Sequence, residues 1–277
     1  MVTMRRAYAD GPFGQIHFRH AGAGRPLVLL HQAIMSGEQF ANVFAPLAAH
    51  GLDPIAIDMP GFGMSDPPAA PPSIRDYADA ILPVLDALGI ERAAIAGHHT
   101  GALVATEAAL AYPARFDALV LHGPMILGDA ERREMIDWLI TREKAFTALP
   151  GGAHFVEVAE IREQLADGTI DPARISDYVM MGVQAWQHGA YWYGHDAAFA
   201  YRHEAPLMRL TQPTLLLTNT GDMTHSAAVE ARALRPDFDY REIAGGGIDI
   251  CDQAPGEWAD AIATFLARQR ESGMKFP

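Results

Sequence analysis

Basic residues are scarce in this chain: 21 lysines and arginines stand against 34 acids, a formal charge of −13 over 277 residues. A nucleic-acid partner would need a surface of the opposite sign, so the charge argues against one. Cysteine is nearly absent. A lone Cys251 excludes an internal disulfide and any multi-cysteine metal site, which favours a cytoplasmic setting. No run approaches the roughly 18 consecutive apolar residues of a membrane span, so no membrane association is expected. Residues 1–6 lack the charged, apolar and small-residue order of a signal peptide. Internal repeats, low-complexity tracts and signs of a second independent domain are missing as well, and no motif asks for a cofactor. The expected partner is a small-molecule substrate, with a homodimer left open.

What is present is a long alternation of short apolar runs and helical patterns. Residues 15–20 alternate as an early strand, and residues 27–30, 54–57, 93–96, 118–121 and 213–218 are buried-strand runs. Ser73 is a candidate N-cap for a helix reaching about residue 88, and residues 102–111 form an alanine-rich helix pattern. Such alternation implies a mostly parallel sheet with helices on both faces. Apolar residues make up 49% of the chain, enough for one sizeable core. From residue 124 to about 205 the strand signals stop and helical ones take over, at 130–147, 155–165 and 175–186.

The densest signal is Gly97-His98-His99-Thr100-Gly101, between a strand-like run and a helix. This is the setting of the Gly-x-Ser-x-Gly turn, whose glycines let a sharp strand-to-helix corner close. Here a histidine stands where the serine nucleophile would be. In these residues the chain resembles the α/β-hydrolase superfamily. Residues 58–66, Asp-Met-Pro-Gly-Phe-Gly-Met-Ser-Asp, are similar to that family's Asp-x-Pro-Gly-x-Gly-x-Ser turn. His31-Gln32 stands at its His-Gly dipeptide, with Gln32 in place of the glycine. Asn219-Thr220-Gly221-Asp222 ends a strand with a carboxylate at the acid position. Residues 245–255 match the segment that carries the family's catalytic histidine, but Ile248 occupies that place. Of three triad positions, only Asp222 keeps its usual residue type. The resemblance implies an α/β-hydrolase fold with a core at 1–123 and 206–277 and a helical lid insertion at 124–205.

Ligands of open α/β sheets sit outside the carboxyl ends of the strands. The implied strand order sets His31, His99 and His122 side by side at those ends, with Asp222 on the next strand. His99, on the turn, is expected to act as a general base. Imidazole, with an unperturbed pKa of about 6.5, takes a proton near neutral pH without an activating partner. His122 and Asp222 are expected beside it, Asp222 orienting His99 or stabilising its imidazolium. The backbone N–H groups of Thr100 and Ala33 are the expected oxyanion hole. His31, Gln32 and the lid residues Trp186, Tyr191, Trp192 and His195 are the expected contacts for an apolar or aromatic carbonyl substrate, although ordinary lid packing explains the aromatic cluster equally well. His98 fits a supporting role, and His225 is a candidate to fill the base position left empty at 248. Ser65 belongs to a turn motif rather than to a nucleophile site. Three classes remain open on sequence grounds. They are an enzyme using His99 for hydrolysis or C–C or lyase-type chemistry, a non-catalytic binding protein, and a metal enzyme using His31, His99 and His122, for which no ligand spacing speaks.

Overall fold

One eight-stranded sheet organises the chain in the computed structural model, which describes residues 4–273. The strands are β1 (Arg5–Gly11), β2 (Gly14–His20), β3 (Arg25–Leu30), β4 (Leu52–Ile57), β5 (Ala93–His98), β6 (Phe116–His122), β7 (Thr214–Asn219) and β8 (Asp239–Ile243). Their order is β1-β2-β4-β3-β5-β6-β7-β8. β1 and β2 form an antiparallel hairpin and β2 runs antiparallel to β4. Every later pairing is parallel. Parallel strands covered on both faces need apolar residues at consecutive positions, and β3, β5 and β7 are buried along most or all of their length. The two-residue period still sorts them. Val28, Leu30, Ile55, Ile57, Ile95, Leu119 and Leu121 face one core, with helices Ile81–Ala87 and Thr100–Ala111. Leu27, Leu29, Ala56, Ala94, Ala96, Val120 and Leu217 face the other, under helices Phe44–Ala49 and Pro255–Gly273. This is the α/β-hydrolase architecture expected from the sequence.

Ser73 caps its helix as expected: its hydroxyl accepts from the Asp76 N–H and the Asp76 carboxylate accepts from the Ser73 N–H. That helix breaks into Ile74–Asp79 and Ile81–Ala87. Between β6 and β7 the chain forms only helical elements, among them Asp129–Met135, Ala153–Ala166, Pro172–Gln187 and Tyr193–Ala200. No helix among the described residues is long and apolar enough to cross a membrane.

Candidate active site

β5 and the helix Thr100–Ala111 meet in a turn with His99 at its apex, at φ 50° and ψ −112°. A side-chain-bearing residue at such a positive φ costs about 1–3 kcal/mol, so the surroundings must hold it there. They do so with backbone bonds: the His99 N–H donates to the His122 carbonyl at 2.8 Å, and the Ala102 N–H donates to the His99 carbonyl at 2.8 Å. The flanking glycines are a steric necessity. A Cβ on Gly97 would lie 2.0 Å from the Gly101 carbonyl oxygen, and one on Gly101 would lie 2.1 Å from that of Leu30.

The imidazole of His99 meets the Asp222 carboxylate directly, with Nε2 at 2.9 Å from Oδ2 and 3.0 Å from Oδ1. Thr224 donates to Oδ1 through its N–H at 2.7 Å and its hydroxyl at 2.8 Å. An ionised carboxylate can only accept, so the His99 proton sits on Nε2 and Nδ1 carries a lone pair. Nδ1 is neither hydrogen-bonded nor sealed off among the described residues, and His99 lines a cavity. Burial alone would raise the Asp222 pKa. His99 and the imidazole N–H groups of His122 and His98 outweigh it and hold the carboxyl well below its usual range.

Two expected members of the histidine cluster are structural supports instead. His122 is fully buried and does not border the cavity. Its Nδ1 accepts from the Trp258 indole at 2.9 Å and its Nε2–H donates to Asn219 Oδ1 at 3.0 Å. Asn219 in turn donates to the carbonyls of Gly245 and Gly247, each at 3.2 Å, so this relay pins the loop that carries Ile248. With both ring nitrogens occupied, His122 has no proton-transfer atom to offer a substrate. A Trp258→Phe variant leaves that buried acceptor unpaired, with an expected loss of about 1–3 kcal/mol read from the urea unfolding midpoint. His31 is corrected in the same way. It is fully buried, donates through Nδ1 to the Gln32 carbonyl at 2.8 Å and accepts the Met59 N–H at Nε2, 2.9 Å away. Burial pushes its pKa down to about 4, against the smaller upward pull of the Gln32 carbonyl and Asp58.

The cavity has a volume of about 330 Å³. Its floor at the strand ends is Gln32, Ala33, His99 and Thr100, and Ile248 and Met223 close one side. The helical segment contributes Met135, Leu139, His195 and Phe199. Of the four lid residues expected to contact substrate, only His195 reaches it. Trp186 donates its indole N–H to the Phe146 carbonyl, Tyr191 stacks on the Phe146 ring with centroids 4.8 Å apart, and Trp192 lies under the Lys144 ammonium. Tyr191 is buried and Trp186 and Trp192 are half-buried, all three packed within the helical segment rather than on the cavity. The methionines and leucines that replace them carried no motif, and only the chain's path after β6 brings Met125, Ile126 and Leu127 to the wall.

Ala33 and Thr100 both border the cavity, and neither N–H is engaged in a hydrogen bond among the described residues. Thr100 is the first residue of its helix, where amides lack intrahelical partners. The loop accommodates Gln32 because its positive φ falls at Ile34, at 21°, and because the Gln32 N–H donates to Gln39 Oε1 at 3.1 Å. His225 does not fill the place left by Ile248; it pairs with Glu242 at 2.8 Å on the outer surface. Ser65 is buried in its turn, donating to the Asp58 carbonyl at 2.6 Å and accepting the His17 N–H at 2.9 Å.

Among the described residues, His98, His99 and Asp222 offer three metal-binding atoms within 4.8 Å of one another, a different set from the three histidines weighed above. The Gln39 amide caps His98 Nδ1 at 2.5 Å, and His98 Nε2 points toward Asp222 at 3.9 Å without a partner. Neither His98 nor Asp222 borders the cavity, so an ion held between them would meet substrate only through the His99 ring.

The model of the α/β hydrolase fold family matches residues 25–253. A 2-hydroxy-6-oxononadienedioate/2-hydroxy-6-oxononatrienedioate hydrolase of Paraburkholderia phymatum is 39% identical over 114 residues, 39% of this chain and 40% of that protein. A 2-hydroxy-6-oxo-6-phenylhexa-2,4-dienoate hydrolase of Comamonas testosteroni is 33% identical over 122 residues, 41% of each chain. The matches span about two fifths of the length of these curated relatives. In overall fold the chain is similar to a thermophilic esterase from Thermogutta terrifontis, with a TM-score of 0.79 at 20% identity, covering 96% of this chain and 99% of that one.

Proposed function

Because the chain belongs to the α/β-hydrolase fold family, we propose that it hydrolyses a small, uncharged and largely apolar carbonyl compound at a C–O or C–C bond, with His99 as general base and no covalent serine intermediate. One observation carries this reading: Asp222 takes one ring nitrogen of His99 and leaves the other free beside the cavity. In the proposed step His99 Nδ1 removes a proton from water and the oxygen bonds to the carbonyl carbon. The carbonyl electron pair moves onto oxygen, toward the Thr100 and Ala33 N–H groups, an effect worth about 10²–10³ in rate per donor. Collapse re-forms the carbonyl and expels the leaving group with its bonding pair. Asp222 stabilises the imidazolium throughout. The segment 124–205 acts as the lid of this cavity. A cytoplasmic setting without a nucleic-acid partner is part of the same proposal.

The lining also bears on charge. Its ionisable groups besides the histidines are Glu131 and Glu230, and it contains no lysine or arginine. The relatives' names specify dienedioates and a dienoate, anions that this wall would repel. An uncharged substrate suits it better.

The test is a serine-directed fluorophosphonate. Treated protein is expected to keep its hydrolysis of para-nitrophenyl butyrate and to carry no stoichiometric label. Inactivation with the label mapped to any serine would refute the proposed mechanism.

A further inference from the structure

A second imidazole–carboxylate pair opens on the same cavity from its helical side. His195, on helix Tyr193–Ala200, donates through Nδ1 to Glu143 Oε1 at 2.7 Å. Glu143 lies on helix Thr141–Ala145 and is buried, and its other oxygen, Oε2, has no partner among the described residues. A buried carboxylate with a single donor polarises that donor strongly. The His195 ring is fixed on its other side by Phe199, stacked at 5.9 Å and 11°. Its Nε2 makes no hydrogen bond among the described residues and is not sealed off, and the side chain is 24% exposed where it borders the cavity. The geometry repeats that of His99: one nitrogen is held by an acid and the other has no hydrogen bond among the described residues, on a side chain that borders the cavity.

We propose that His195, in its imidazolium form with Nδ1–H on Glu143, is the proton donor of this cavity, delivering the proton on Nε2 to the leaving atom while His99 holds the proton taken from water. This rests on the hydrolytic reading above. As the tetrahedral species collapses, the bond from carbonyl carbon to leaving oxygen or carbon breaks, its electron pair goes to the leaving atom, and the His195 Nε2–H proton joins it. His99 ends protonated and His195 neutral, and exchange with solvent returns both to their starting forms. Water is the only other reactant. Glu143 is a positioning residue, holding Nδ1–H and supporting the imidazolium. The division of labour suits a base whose Nε2 is tied to Asp222: the proton on His99 Nδ1 points at the attacking oxygen, and a leaving group displaced away from it needs a donor from the other wall.

The experiment compares para-nitrophenyl butyrate with ethyl butyrate, because nitrophenolate departs unprotonated and ethoxide does not. For His195→Gln, kcat on the ethyl ester is expected to fall about 10²-fold or more, the scale of a lost general acid, while the nitrophenyl ester changes only a few-fold. Glu143→Gln should show the same selectivity at smaller size. His99→Ala should lower both esters together. If His195→Gln and Glu143→Gln leave the ratio of the two rates unchanged while His99→Ala lowers both, the donor role is overturned and the base survives. Should His99→Ala change neither ester, or the wild-type protein hydrolyse neither, the hydrolytic reading falls and takes this proposal with it. A His195→Asn variant guards against misfolding of the first, and must show the same ratio for the proposal to stand.

Discussion

His99→Ala is expected to lower kcat on para-nitrophenyl butyrate by about 10²-fold or more with little change in KM, the usual size of a lost general base. The variant keeps the cavity, the Thr100 and Ala33 amides and the apolar walls, so substrate binding persists while water goes unactivated. It also relieves the positive φ strain at the turn only slightly, since alanine carries a Cβ as well. Asp222→Asn attacks the same function from behind. An amide can present its NH2 to Nε2 and so reverse the tautomer, putting the proton on Nδ1 and leaving the cavity without a lone pair. A loss of up to about 10⁴-fold is expected, as for other acids that fix a catalytic tautomer. Circular dichroism and an unchanged KM would show that folding and binding remain. Equal turnover by wild type and His99→Ala would move the weight to a binding role.

The second large effect is on stability in acid. His31, His98 and His203 are fully buried. Burial pushes His31 down to about 4 and His203 to about 3. Burial, with His99 and His122 nearby, holds His98 well below its ordinary value. Each is therefore neutral in the folded protein at a pH where the unfolded chain, titrating at about 6.5, has taken up a proton. Between about pH 6.5 and pH 4 the unfolded state binds up to three more protons than the folded state, so stability falls as pH falls. Each histidine contributes a slope approaching about 1.4 kcal/mol per pH unit. The depressed carboxylates Asp58 and Asp222 do not offset this. Their contribution is present above the unfolded carboxylate pKa near 4 and is lost only below it. Urea midpoints measured from pH 7 to pH 4.5 should drop steeply. His203→Gln, whose amide can still donate to Thr106 as the ring does at 2.9 Å, should remove about one proton of that slope. A midpoint flat across this range would contradict the assignment.

The frame of the site was legible because it is written in residues with little freedom. Gly97 and Gly101 announce a corner that no Cβ can enter, and the apolar runs before them and before Asp222 place two strand ends on the same edge of the sheet, one strand apart. That His99 touches Asp222 without an intermediary was not legible, since it depends on an imidazole spanning a gap that the strand spacing sets. His31 and His122 occupy the strand ends expected of them, yet their rings are claimed by Met59 and Trp258. Trp258 is 136 residues from His122, and nothing local in the sequence records that bond. The aromatic cluster misled for a different reason. Trp186 and Tyr191 pack edge-on and face-on against Phe146 rather than on the cavity, and the lining is left largely to methionine, leucine and isoleucine. The carboxylate behind His195 was hidden likewise, Glu143 being 52 residues away on another helix.

The turn at His99 stores its strain in backbone geometry fixed by glycines and by carbonyls of other strands, none of which senses which side chain sits at the apex. The apex is thus a socket. Any residue placed there inherits the same outward display and the same neighbouring amides, while Asp222 waits at a distance an imidazole can cross in one step. On the proposed reading the residue at the attacking position carries the proton instead, and water does the attacking. On the same reading Ile248 takes no part in the chemistry and serves as wall, free to set the shape of what the cavity admits. A fold of this kind can exchange its reaction and its substrate range at two separate positions, each without rebuilding the other.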